Sequence, residues 1–213
     1  MLKTLLLRQF QGAVVANEIV AKASPDGYTL IMATPALASN LALYGKLKYD
    51  PVKDFQAVSL AMSFPLLLTV NPSVPVRSVA DLVSQAQASP GKFAYASGGN
   101  GAANHLAGEM FKSLANVDLL HVPYKGGGPG MVALMGNEID MMVAQIPSSK
   151  QLHTGGKVRA LAISTAKRSS AMPDVPTIQE AALPGFEATS WYCVVAPAGT
   201  PQAIISRLNT EII

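Results

Sequence analysis

Two glycine-rich stretches and three histidines are where this sequence could do chemistry. The stretch Ser97 to His105, "SGGNGAANH", follows the strand-like run "KFAYAS" and opens a helical one. "YKGGGPG" (124–130) follows the run "LLHVPY" in the same way. Glycines let the backbone turn with its amides facing outward, and a helix starting just afterward adds a partial positive charge, so the first stretch makes a seat for a carboxylate. The same glycines read equally well as tight turns. A third loop of this kind, "ATPALASN", carries Thr34 and Pro35 after the run ending near Met32. These positions matter because in α/β sheets ligands collect beyond the carboxyl ends of parallel strands.

Named phosphate and nucleotide signatures do not fit. Gly99-Asn-Gly101-Ala-Ala-Asn104 nearly matches a dinucleotide fingerprint, but Asn stands where close helix packing wants Gly or Ala, and Asp118 precedes its strand instead of ending it. A Walker loop needs its Lys after the glycines, and Lys125 comes before them.

His105 falls in the first turn of the helix and suits hydrogen bonding or ligand lining. His121 sits in an apolar strand, as a satisfied core histidine would, and His153 beside "TGGK" reads as exposed. Ser97 could pair with a histidine, yet there is no Gly-x-Ser-x-Gly elbow and no acid is placed by sequence to orient either ring. Three scattered histidines and one cysteine give no metal spacing, and no cofactor is expected. Cys193, within "WYCVVAP", reads as a core thiol, and the nine methionines as core filler.

Those residues must be held by something folded. Hydrophobic residues make up 49% of the 213 and charged residues 14%, enough to build a sizeable core. The 16 Lys+Arg against 13 Asp+Glu form no dense basic stripe, which excludes a nucleic-acid partner. The apolar start "MLKTLLLRQF" is broken by Arg8 and Gln9 before it reaches the length of a signal-peptide core, so no leader is expected in this chain.

Elements alternate along the chain. Helices are expected at 12–23, 79–88, 102–115, 130–138, near 148–154, and after Pro201. Strands are expected at about 28–33, in two runs "AVSLAMS" and "PLLLTVNP", and at 92–97, 119–124, 140–145, 158–164 and 190–197. Ser78 with Asp81, and Thr177 with Glu180, have capping-box spacing, and Thr200-Pro201 reads as a cap with a first-turn proline. Leu106, Met110 and Leu114 form an apolar stripe that should face a sheet. Strand and helix alternation implies an α/β fold with a mostly parallel sheet covered on both faces.

The segments "ASPDGYTLIMATP", "YDPVKDFQAVSL", "VNPSVPVRSVADLV", "PGKFAYASGGNG", "HLAGEMFKSLANVDLLHVPYKGGGP" and "MPDVPTIQEAALPGFEATSWYCVVAPAGTP" resemble, in order and at family spacing, the substrate-binding receptors of tripartite tricarboxylate transporters, the Bug/TctC family. The resemblance runs from about Gly12 to the last residue. It implies a type II periplasmic binding fold of two α/β lobes with a ligand cleft: lobe 1 from residues 1–71 and 186–213, and lobe 2 from 72–185. It also implies capture of a small organic acid (a di- or tricarboxylate or an aromatic acid), membrane components of a tripartite transporter as partners, a periplasmic location and no catalysis. The ligand-lining set it implies is Thr34, Pro35, Ser97, Asn100, Gly101, Ala102, Ala103 and His105, with Tyr124, Lys125, Gly126 and Gln145.

Several features depart from the family pattern. Its members begin with a signal peptide, a first strand and a glycine-rich loop containing an Asp, which this sequence does not show, and "QGAVVANEI" stands in place of the usual Gly-Ala-Gly-Gly stretch. Ala102 stands where Ser usually follows "GNG", and Ala144-Gln145 where Asp-Asn is common. The chain therefore reads as truncated at both ends, with lobe 1 incomplete and prone to self-association through its uncovered surface. A non-binding remnant, and an enzyme using the glycine loops on a phosphorylated substrate, are the alternative readings.

Overall fold

The computed structural model describes residues 13–213; the apolar start at 1–12 lies outside them. In chain order the elements are α1 (Val14–Ala21), β1 (Ile31–Ala33), α2 (Ala36–Tyr44), β2 (Phe55–Val70), α3 (Val79–Ala88), β3 (Ala94–Ser97) and α4 (Ala103–Ala115). Then come β4 (Leu120–Pro123), α5 (Gly127–Met135), β5 (Met141–Gln145), α6 (Ile146–Thr154), β6 (Arg159–Ile163), α7 (Ile178–Ala181), β7 (Thr189–Pro197) and α8 (Gln202–Ile212). They divide into two compact units. One comprises residues up to Ser63 together with Trp191–Ile213, and the other Phe64–Ser190. Both changeovers fall inside strands, β2 and β7.

In the first unit β1 pairs antiparallel with β7, Ile31 opposite Val195 and Ala33 opposite Cys193. β2 is the next strand beyond β7, with the Ala198 N–H donating to the Asp54 carbonyl at that seam. Successive strand residues face opposite ways. Val195, Ile31 and Ala33 therefore pack with Ala16, Val20 and Leu37 of α1 and α2, while Val194 and Ala196 pack with Val58 and with Ile205 of α8. Cys193 is half-buried, and burial pushes its thiol up, away from the reactive thiolate. The expected loop "ATPALASN" is mostly helix, since α2 starts at Ala36 directly after Pro35.

In the second unit the strands lie in the order β6, β2, β5, β3, β4. β3 is parallel to both β4 and β5, whereas β2 is antiparallel to β5 and β6. The sheet is thus mixed, not mostly parallel: the chain enters the unit on β2, which runs opposite to its neighbours. One face buries Leu66, Leu68, Tyr95, Met141 and Val143 against α3, α4 and α7 residues such as Leu82, Phe111 and Ile178. The other buries Ala96, Met142 and Ala144 against Met131 and Leu134 of α5.

Four expectations are corrected by packing. The two runs "AVSLAMS" and "PLLLTVNP" form the single strand β2; Pro65, which has no N–H to donate, stands just before Leu66, where the ladder to β5 begins. On α4 the buried face is Asn104, Ala107, Gly108, Phe111 and Ala115, while Leu106 and Leu114 are exposed. The small face wins because the Tyr95 ring lies against it: a Cβ on Gly108 would collide with that ring. Thr200 does not cap α8; its hydroxyl donates back to Pro197 C=O at 2.8 Å, and Pro201 occupies the cap position. His153 is half-buried, its Nδ1 accepting from Ala160 N–H at 3.3 Å. Both capping residues hold, Ser78 accepting from Asp81 N–H and Thr177 forming the full box with Glu180.

The irregular segment 72–76 has few backbone partners, and Arg159 supplies them. Its guanidinium donates to Val74 and Val76 C=O at 3.1 and 2.8 Å and to Pro72 C=O at 3.1 Å. Hydrogen bonds to a charged group contribute roughly 1.5–3 kcal/mol. Arg159→Met should therefore lower unfolding free energy by about 2–3 kcal/mol with an unchanged denaturant slope, as measured by urea unfolding of the full chain.

Candidate functional site

Because β3, β4 and β5 run the same way, their carboxyl ends at Ser97, Pro123 and Gln145 lie at one edge of the sheet, with Ser97 in register with Pro123. From that edge the chain passes through 98–102 into α4, through 124–126 into α5, and straight from Gln145 into α6. The first amides of any helix lack intrahelical acceptors. None of these three helices has a capping side chain, whereas the other two helices of the unit, α3 and α7, are capped by Ser78 and Thr177. α5 begins at Gly127, three residues earlier than the apolar pattern indicated, so the glycines themselves form its first turn.

The two glycine loops touch. Tyr124 N–H donates to Ser97 C=O at 2.9 Å and Gly126 N–H to Gly98 C=O at 3.1 Å, carrying the β3–β4 pairing past the strand ends. A side chain on Gly98 would meet the Gly127 nitrogen at 3.2 Å, so the backbones approach as closely as they do only because Gly98 has none. Gly99 and Gly101 hold φ of 123° and 78°, a region that favours glycine. Asn104 Oδ1 accepts from Gly98 N–H at 3.0 Å and fixes the start of the loop to α4.

Beneath the loop lies a stack of titratable side chains. Tyr95 and His121 are register partners on β3 and β4, and their rings stack at 4.8 Å. His105, from α4, lies 4.2 Å from His121 on centroids. Ser97 Oγ is 2.6 Å from His121 Nε2 and accepts from Gly99 N–H at 3.1 Å, while His105 Nδ1 accepts from Gly101 N–H at 3.2 Å. The Tyr95 hydroxyl donates to Glu109 at 2.5 Å, and Lys112 reaches the same carboxylate at 3.1 Å. Burial, then the hydrogen bond to Glu109 and its charge, raise the Tyr95 hydroxyl above the usual tyrosine range. Burial opposes ionisation of Glu109 too, yet its bonds from Tyr95 and Lys112 hold it below the usual carboxylate range. Burial lowers His105, and burial followed by the neighbouring His105 takes His121 down to about 4.

The sequence-derived residues are distributed accordingly. Asn100 and Lys125 are exposed on the two loops, Ala102 and Ala103 are half-buried at the start of α4, and Gly101 and Gly126 are buried. Ser97 is fully buried with its hydroxyl engaged as above, and Tyr124 is half-buried against the apolar cluster on the α5 side of the sheet. Gln145 stands at the N-cap position of α6, its carbonyl accepting from the Ser148 and Ser149 hydroxyls. Thr34 and Pro35 belong to the other unit, at the turn from β1 into α2. Sequence reasoning missed the stack: it treated His121 as a core residue, and only the β3–β4 register places it against Tyr95 and Ser97. Among the described residues no His, Cys, Asp and Glu group could hold a metal, and no helix is long and apolar enough to cross a membrane.

A family model described as the tripartite tricarboxylate transporter family receptor (TctC) matches residues 8–212. The chain belongs to this family. Against a UPF0065 protein from the tcbD-tcbE intergenic region of Pseudomonas sp. (strain P51), it is 39% identical over 96% of its own length and 61% of the relative's. The chain thus spans about three-fifths of that curated relative. The structure of R. palustris Rpa4515 with adipate superposes with a TM-score of 0.89 at 40% identity, covering 93% of this chain and 67% of that one. MatC from Rhodopseudomonas palustris, with bound malate, gives 0.89 at 35% over 94% and 69%. The periplasmic binding protein BugD gives 0.89 at 32% over 95% and 68%. The α/β architecture is that of the TctC solute-binding receptors.

The lowered histidines make stability pH-dependent, with a definite sign. An unfolded imidazole takes its proton near the ordinary 6.5, but folded His121 takes one only near 4. Between those values the unfolded chain binds more protons, so stability falls as pH drops from 6.5 toward 4. Thermal melts should show a lower Tm at pH 5 than at pH 7, and His121→Gln should reduce that difference.

Proposed function

We propose that the chain carries the ligand-binding edge of an extracytoplasmic solute-binding receptor that captures a small organic carboxylate without transforming it. The observation that carries this reading is the convergence of two glycine loops and three uncapped helix starts on one sheet edge. The uncapped first amides of the helices and their dipoles favour an anion there, and Asn100 and Lys125 add an amide and a cation at its rim. That relatives of the same family hold adipate and malate supports the carboxylate class. The receptor works in the periplasm and hands its ligand to the membrane components of a tripartite transporter, in keeping with the family and with the periplasmic BugD.

Catalysis on this edge lacks a nucleophile that substrate can reach. Ser97 and His121 have the spacing of a nucleophile and base, but Ser97 is fully buried and its oxygen already accepts from Gly99 N–H. The pair serves the loop instead.

Titration calorimetry with adipate, malate and a monocarboxylate tests the reading. Saturable binding of at least one dicarboxylate is expected. Asn100→Leu and Lys125→Ala should each weaken it about tenfold, the loss of one charge-assisted hydrogen bond of roughly 1.5 kcal/mol. Cys193→Ser, in the other unit, should leave it unchanged. A folded chain that gives no heat with any of them would leave the non-binding remnant as the correct reading.

A further inference from the structure

The turn Gly99–Gly101 is held by side chains lying below it, and one of those holds depends on a proton. His105 projects from the first turn of α4 back beneath the loop, and its Nδ1 accepts the Gly101 amide at 3.2 Å. A ring nitrogen accepts only while it carries no proton, so this bond requires the neutral imidazole with its hydrogen on Nε2. The second hold, Gly99 N–H to Ser97 Oγ at 3.1 Å, survives either state of His121, because the Ser97 hydroxyl proton can turn to Gly99 C=O, 3.3 Å away. Of these two side-chain ties, one does not depend on a proton and the other does.

The surroundings bias the conditional one. Facing the His105 ring are His121 from β4, whose centroid is 4.2 Å away, and on its own helix Glu109 and Lys112. Tyr95 from β3 stacks on the far side of His121 and donates to Glu109, which also accepts from Lys112. The single acid in the cluster thus already has two donors, and neither histidine has a carboxylate bonded to it. Burial keeps both rings below the ordinary histidine range, so the neutral pair is the resting state at pH 7. When a proton does arrive, Nδ1 becomes a donor facing the donor N–H of Gly101, the bond is lost, and a second charge on His121 is opposed at that distance.

We propose that His105 is a positioning residue for the carboxylate seat, a latch that fixes the Gly99–Gly101 turn while neutral and releases it on protonation. The proposal rests on reading that loop as the carboxylate seat. It adds a control: as pH falls through the histidine titration, the turn that leads into the uncapped start of α4 loses one of its ties, the first amides of that helix are placed less firmly, and the ligand is held less well.

The first test needs no ligand. In 1H–15N and imidazole spectra of the full chain between pH 7.5 and 4.5, His105 should be the Nε2–H tautomer at pH 7.5, and the Gly101 amide should shift with the His105 midpoint. In His105→Asn, whose Oδ1 replaces Nδ1 as an acceptor that does not titrate, the Gly101 shift should stay constant. In His105→Phe it should sit at its low-pH position throughout. A Gly101 amide that stays flat while His105 titrates, an Nδ1–H tautomer, or a pH response unchanged in His105→Asn would each overturn the latch.

The second test is calorimetry at pH 7 and at a pH below the His105 midpoint read from those spectra, with whichever of adipate and malate binds the wild type at pH 7. The wild-type affinity should fall at least threefold more than that of His105→Asn, since protonation of the dicarboxylate itself affects both proteins alike; equal falls would overturn the proposal. If none of the panel binds either protein, the carboxylate reading fails, and the amide spectra alone decide whether the latch exists.

Discussion

Two stretches of main chain come together at Gly98 and Gly126–Gly127 at a separation that leaves no room for a side chain, and the rest of the ligand edge follows from that contact. The hydrogen bonds Tyr124 N–H to Ser97 C=O and Gly126 N–H to Gly98 C=O extend the parallel β3–β4 ladder beyond the strands themselves. They set where α4 and α5 begin, and hence where the unsatisfied amides of both helices lie. A Cβ at Gly98 would meet backbone at 3.2 Å, and backbone moves less readily than the tip of a side chain. The glycines that first look like a phosphate motif are required for packing one loop on another, and the anion seat is a consequence of that packing.

Below this seam the unit keeps a column of polar rings, Tyr95, His121 and His105, at the end of a largely apolar sheet face. Their cost is limited because the polar atoms have local partners: Glu109 for Tyr95, Ser97 for His121 and Gly101 for His105. Gly108 makes the arrangement possible, since the Tyr95 ring occupies the space a side chain there would fill. Core, loop and helix start are therefore joined through one set of side chains.

Much of this was legible in the sequence, for identifiable reasons. Apolar runs bounded by Gly, Pro and Asn marked β3, β4, β5 and β6, and the Ser78 and Thr177 caps announced α3 and α7, because those signals are local. What was not legible depends on partners distant in sequence. The sense of β2 relative to β5 cannot be read from either strand. The buried face of α4 went to Ala107, Gly108 and Phe111 instead of the Leu106 stripe because of Tyr95, thirteen positions before Gly108. His121 was read as a core residue because only the register Tyr95 to His121 reveals the stack. Of the residues proposed to face a ligand, the glycines and Asn100 came from local pattern; the buried state of Ser97 came only with the sheet.

The unit of Phe64–Ser190 is one uninterrupted stretch, while the other is assembled from segments on either side of it. Near its two ends, the Ser164 hydroxyl accepts from Leu66 N–H at 2.8 Å and donates to Ala188 C=O at 2.5 Å, both within the continuous unit. A chain emerging from the ribosome can complete that unit before β7 and α8 exist. Once it has folded, a single serine holds residues 66 and 188 side by side. The long loop that would otherwise separate β1 from β7 is then already closed, and the entropy of closing it is not charged to the last step of folding.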